Sequence, residues 1–461
     1  MANEIIGKLP DDMAALITGN TPIQSIFHLS EVLVRQKKID EDVMKKAEEL
    51  VVMSHLHFDQ PHAQLPHGGR ERSRRKGVTK KLMEEGLAEA ASSNPKKRKK
   101  ENTELELVDY IEYAGNEGEL DKFLGANLVV DRFMEMRDPN DHSAFRPNDA
   151  RALYEHMFPN KDEAEDWKGS VLPRIREMAR LEAEPELKRK YGDSRFHSIV
   201  AVNDGDVVGY SQFSTMPVGG GSVVVFGQYT GVADKRFMEQ NYHRKETFRE
   251  EGVHSAVFVF RHGIAAEDAK EMGYHKGVIG TIIESEFKGQ ADNADDIRFT
   301  NLRLHIHRQH GAKAMILEME DGSWVSAHMQ PRLSADSNPI ILHMLFRPLK
   351  FDEADTKRTT TMDIATAQSL IMSYIDNFDR EGFDPKDVDE ARKILLERFS
   401  KAKRVLLVPP EELPDISAMA RMDPLLREQV ERDYGSMELQ EERIRSALAS
   451  KPSPEARRLG S

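Results

Sequence analysis

The stretch from residue 196 to residue 349 constrains the fold more than any other part of this chain, because its apolar runs change period in a fixed order. Residues 197–202 and 207–213 are two short apolar runs, and Asn203-Asp-Gly-Asp206 between them has the chemistry of a hairpin turn, which predicts a pair of antiparallel strands. A third strand run spans 222–232. The period then lengthens: Val253, Val257, Phe260 and Ile264 are spaced to share one face of a helix, and Gly273 is placed to end it. Residues 278–287 read as a buried strand. Residues 295–310 read as a second helix, with Phe299, Leu302 and Ile306 inward and Gly311 closing it. Residues 312–319 and 339–346 complete the predicted sheet.

Upstream, residues 127–136 have the composition of a first strand, and 148–158 that of a helix carrying Ala150, Leu153, Tyr154 and Met157. The whole succession resembles the GNAT acetyltransferase superfamily, over about half of the chain. That resemblance implies an α/β (α+β) fold: a mixed, mostly antiparallel sheet flanked by helices. Its fourth and fifth strands would splay to admit the pantetheine arm of acetyl-CoA.

A diphosphate is held well by unpaired N–H groups at a helix N-terminus. In the family these lie in an Arg/Gln-x-x-Gly-x-Gly/Ala loop, and the best match here is Arg249-Glu250-Glu251-Gly252-Val253-His254, followed by Ser255. His254 departs from the small residue of the pattern, and the run from Val232 to Arg249 is longer than the family's. The implied cofactor site is therefore Val232, Arg249, Glu250, Glu251, Gly252, Val253, His254 and Ser255.

Transfer to an amine needs a proton acceptor, a polarised carbonyl and a donor for the departing thiolate. Strand alternation places Glu284 and Glu286 on one face as candidate acceptors, and Tyr229 is expected to face the same cleft. Amides near Val232 would polarise the carbonyl. His307 stands four residues before Gly311, where family members often have a tyrosine that protonates the thiolate. The alternative for His307 is a polar histidine on the wet side of its helix. The resemblance thus implies an N-acetyltransferase, moving an acetyl group from acetyl-CoA to a primary amine of a small molecule or protein by direct attack on the thioester, with no metal. A catalytically lapsed core of the same fold, used as a binding or scaffold module, is the other reading.

At 461 residues the chain is long enough for more than one domain. We expect a helical hairpin in 1–60, a basic linker in 61–115, the acyltransferase-like core in 116–350 and a helical extension in 351–461. Within the last, 405–408 is either an added strand or a packing segment. A net charge of −13 disfavours nucleic-acid binding over the whole surface, leaving only the basic linker between Arg70 and Lys100 as a place for it. That linker lacks interleaved aromatic residues, so a solvated tether is the plainer reading. With no cysteine, disulfides and thiolate sites are absent. No apolar run approaches the ~18 residues needed to cross a bilayer, and a cytoplasmic location is expected. A homodimer is compatible with the sequence. His55, His57, Asp59, His62 and His67 are metal-ligand types set in an irregular, proline-containing segment that does not fix ligand geometry. Gly219-Gly220-Gly221 looks like a phosphate loop but lies between two strands, where a flexible connection is expected.

Overall fold

The computed structural model describes residues 102–127, 129–138, 147–158, 165–248, 251–332 and 338–449. The predicted N-terminal hairpin, the basic stretch between Arg70 and Lys100 and the histidines at 55–67 lie outside them, as do Arg249 and Glu250.

Eleven strands form one sheet in the order β1-β2-β3-β4-β5-β6-β9-β7-β11-β10, with β8 paired to β7. They are β1 (Thr103–Leu105), β2 (Arg132–Glu135), β3 (Arg195–Asn203), β4 (Asp206–Val218), β5 (Ser222–Val232), β6 (Val278–Ser285), β7 (Lys313–Met319), β8 (Trp324–Ser326), β9 (His343–Pro348), β10 (Thr360–Met362) and β11 (Ala402–Val408). Each pairing is antiparallel except β5 with β6. Counted from β2, the parallel pair is the fourth and fifth strand. The β3–β4 turn has positive φ at Asp204 (54°) and Gly205 (85°), the backbone that a two-residue hairpin demands. Gly219–Gly221 closes the β4–β5 hairpin, where Val218 faces Ser222, so the triplet is a connection between strands and not a phosphate loop.

The helices are α1 (Leu107–Tyr110), α2 (Glu117–Ala126), α3 (Pro147–Met157), α4 (Leu172–Arg180), α5 (Pro185–Tyr191), α6 (Lys235–Tyr242) and α7 (Val253–Glu271). They continue with α8 (Ala294–Gln309), α9 (Glu353–Thr356), α10 (Ile364–Glu381), α11 (Pro385–Lys401), α12 (Ile416–Ala420), α13 (Pro424–Tyr434) and α14 (Met437–Ala449). In α7 the predicted stripe of Val253, Val257, Phe260 and Ile264 is fully buried. Phe260 is its hub, with ring centroids 5.2 Å from Tyr110, 5.3 Å from Phe123 and 4.7 Å from Phe133.

Three expectations change. In α8 the buried residues are Ile297, Thr300 and Leu304, while Phe299, Leu302 and Ile306 are only half-buried. The helix has a second covered side, because α14 lies along it and Arg298 donates to the Ala447 carbonyl at 3.1 Å. The strand predicted over 127–136 is confined to β2; Asn127 instead caps the C-terminus of α2, a helix not foreseen. Finally, the boundary placed at 350/351 does not divide the sheet. The 405–408 run lies within β11, which pairs with β7, and β10 pairs with β11. Beyond them α10 and α11 bury Leu370, Ile371, Leu395 and Phe399 in a core shared with Val224, Phe226 and Ile282.

Candidate functional site

Two strand edges separate at the centre of the sheet. The β5–β6 ladder runs from Val223↔Val278 to Gly227↔Ile283 and stops there, although β5 continues to Val232 and β6 to Ser285. A bulge causes the separation: β5 spends one extra residue, Gln228, between the partners of Phe213 and Gln212 on β4, and a bulged strand bends and twists away from its neighbour. The result is a wedge open at the C-terminal ends of two parallel strands.

On one face of the wedge stands Glu284. Its Oε1 accepts from the Tyr374 hydroxyl at 2.6 Å and lies 2.8 Å from His328 Nε2. The Leu342 N–H donates to His328 Nδ1 at 3.0 Å, so the ring proton is on Nε2 and points at the carboxylate. His328 and Tyr374 are sealed from solvent, while the Glu284 side chain keeps 20% of its exposure. Burial and the Glu284 charge push the Tyr374 phenol well above its ordinary pKa, so it stays a donor. Tyr229 is on the same face, with its ring centroid 5.2 Å from Tyr154 and 4.9 Å from Phe158; burial, Tyr154 and Glu284 together raise its pKa. Glu284 and Tyr229 thus share one face of the sheet. Glu286 does not join them: β6 ends at Ser285, alternation ends with it, and Glu286 forms an ion pair with Arg303 of α8 at 2.5 Å.

On the other face lies the first turn of α7. Gly252 has φ 75°, but the close approach it permits is made by the chain's own α2: a Cβ there would stand 2.1 Å from the Lys122 carbonyl oxygen. A phosphate cannot use that space. Glu251 is exposed, Val253 and Ser255 are buried, and Val232, the last residue of β5, is paired with Gly209. His254 turns from the loop to His310, with 3.3 Å between Nδ1 and Nε2. His310 Nδ1 is 3.3 Å from Glu119, whose other oxygen meets Arg347. Burial opposes the Glu119 charge, yet Arg347 and His310 hold its carboxyl at about 2. Burial, reinforced by His310 and His307, keeps His254 neutral.

His307 is half-buried and is not an acid at neutral pH. Its Nδ1 is buried without a partner, and burial together with His310, Arg303 and Arg261 lowers its pKa to about 3, so at pH 7 it has no imidazolium proton to give. The two partners that sequence reasoning missed, Tyr374 and His328, come from segments far from Glu284 in the chain.

No protein-family model and no curated protein matches the chain. Among solved structures, it is similar to an aminoglycoside 6'-N-acetyltransferase complexed with coenzyme A, at 12% identity and TM-score 0.23, covering 44% of this chain and 89% of the other. The aminoglycoside 6'-N-acetyltransferase of Enterococcus faecium gives 12% identity, TM-score 0.22 and the same coverage. A GNAT-family acetyltransferase of Staphylococcus aureus Mu50 gives 11% identity and TM-score 0.21, covering 44% and 92%. Likenesses of this size place no residue.

A coenzyme A thioester fits this geometry in part. The wedge leaves strand edges without ladder partners, and the buried Nδ1 of His307 and Oγ of Ser285 have no partner, which leaves polar capacity inside for a ligand. At Gly252 the fit fails, because Lys122 fills the corner. The residues able to hold a diphosphate reduce to the first-turn amides of Val253, His254 and Ser255, which have no helical acceptor. Among the described residues no group of three or more metal-ligating side chains is placed to hold a metal ion, and no helix is long and apolar enough to cross a membrane.

Proposed function

We propose that the chain transfers an acyl group from a coenzyme A thioester to a primary amine. The observation that carries this reading is the arrest of β5–β6 pairing at Gly227↔Ile283 with Glu284 beside the opening. A thioester supplies an activated carbonyl, and the chain's task is then to hold that carbon against a neutral nitrogen. Glu284 is the group to take the amine's proton: it is partly solvent-accessible and held in place by Tyr374 and His328. Tyr374, sealed from solvent and donating to Glu284, acts as a positioning residue for that carboxylate, and the proton Glu284 takes from the amine is the one that ends on the thiolate.

A thermal-shift titration tests the binding half of the proposal. Saturation at about 100 times Kd corresponds to roughly 2.7 kcal/mol of stabilisation, a clear rise in Tm, whereas no shift with coenzyme A or acetyl-CoA contradicts it. The second reading, a binding or scaffold module that has lost the cofactor, is favoured by the Lys122 carbonyl seated at Gly252, and the absence of a shift is what it predicts.

A further inference from the structure

Four arginines are buried among the described residues: Arg174, Arg261, Arg347 and Arg398. Three have carboxylate partners. Arg174 meets Glu165 and, at 2.6 Å, Glu381; Arg347 meets Glu119; Arg398 meets Asp423 at 2.9 Å. Arg261, halfway along α7 and 2% exposed, is the exception. Its Nε donates to Ser211 Oγ at 2.8 Å, and its Nη2 to the same oxygen at 2.5 Å, to the Tyr229 carbonyl at 3.0 Å and to Thr230 Oγ1. All of these acceptors are neutral, and among the described residues no carboxylate forms an ion pair with it. The charged neighbour acting on it is Arg347, of like sign.

Its position gives that unpaired charge a meaning. Gly227 is the last β5 residue with a β6 partner, and a Cβ there would lie 2.8 Å from Arg261 Nη1. The guanidinium therefore sits at the closed end of the wedge, in space that glycine leaves free. A buried cation without a counter-charge is costly, and an arriving carboxylate offsets that cost through charge-assisted hydrogen bonds from Nη1, the nitrogen that faces Gly227. Whatever enters the wedge from its open end reaches Arg261 with its leading end, which for an acyl thioester is the far tip of the acyl chain.

We propose, resting on the acyl-transfer reading above, that the acyl group this chain accepts ends in a carboxylate, as a succinyl group does, and that Arg261 binds that carboxylate. The bond changes are those of any aminolysis. The amine nitrogen attacks the thioester carbonyl, the C–N bond forms, the C–S bond breaks, and the amine's proton ends on the departing thiolate. The distal carboxylate is unchanged and only positions the donor.

The test is binding of coenzyme A, acetyl-CoA and succinyl-CoA to the full chain by thermal shift and calorimetry. Succinyl-CoA is expected to bind at least tenfold tighter than acetyl-CoA. Arg261→Gln and Arg261→Met are expected to remove that difference while acetyl-CoA binding persists, with circular dichroism reporting whether each variant folds. Equal affinity for the two thioesters in the unaltered chain overturns the proposal and leaves acyl transfer standing, as does discrimination that survives in a folded Arg261→Gln variant. Failure of all three compounds to bind overturns both.

Discussion

Glu284 receives one hydrogen bond from Tyr374 at 2.6 Å and another from His328 at 2.8 Å, and both are aimed at the same carboxylate oxygen. A carboxylate held in this way keeps its second oxygen for a substrate proton. Replacing it by glutamine keeps the shape and removes the base, so Glu284→Gln should lower turnover about 10²–10⁴-fold while the thermal shift given by a coenzyme A thioester is retained. If turnover is unaffected, the proton acceptor lies elsewhere. A second residue-scale prediction concerns His197, whose Nδ1 is 2.7 Å from Glu135 and whose Nε2 is 2.7 Å from Asp268. Burial opposes its charge, but Asp268 and Glu135 raise its pKa above the ordinary imidazole range to about 9. A raised pKa stabilises the fold below the unfolded value, and that stabilisation is lost as pH climbs through 9. Its size near neutrality is on the order of 2–3 kcal/mol. Tm should fall between pH 7 and pH 10 in the unaltered chain and fall less in His197→Phe. Parallel curves would mean that the imidazolium is not the group responsible.

Among the elements, α7 carries the largest share of predictable consequences. Removing the Phe260 ring leaves Tyr110, Phe123 and Phe133 facing a cavity, and Phe260→Ala should cost about 3–5 kcal/mol, measurable by urea denaturation. At its N-terminus, Gly252→Ala forces a methyl group against the Lys122 carbonyl and a left-handed backbone onto alanine. It should lower Tm with no ligand present. A Tm unchanged in that variant would mean that α2 does not press on this corner. The α7 stripe was legible because Val253, Val257, Phe260 and Ile264 all face one core. The α8 stripe was misread because α14 covers a second side of the helix, and periodicity cannot show which of two partners a helix will acquire. The wedge was foreseen only through the family resemblance. Its local cause, one extra β5 residue at Gln228, leaves no mark on an alternating pattern. Arg261 escaped notice because an arginine within an apolar helix stripe looks like a residue on its solvated side.

For the molecule as a whole, the sheet continues past residue 349. β11 adds to β7 across residues 314–319 and β10 adds to β11, while α10 and α11 cover the face that Val224, Phe226 and Ile282 present. Tyr374, which holds Glu284, is itself a C-terminal residue. A chain stopped after Leu349 would expose that core and lose one of the two partners of Glu284. It should bind a hydrophobic dye and show no cooperative unfolding transition, and a stably folded truncation would show that the C-terminal part is dispensable.

We propose that the opening between β5 and β6 receives a coenzyme A thioester. Backbone hydrogen exchange at residues 228–232 and 283–285, measured with and without saturating coenzyme A, addresses it most directly. A thioester seated there slows exchange at both edges, with α14 unchanged as an internal reference. Exchange at those two edges that is identical with and without the ligand would contradict it.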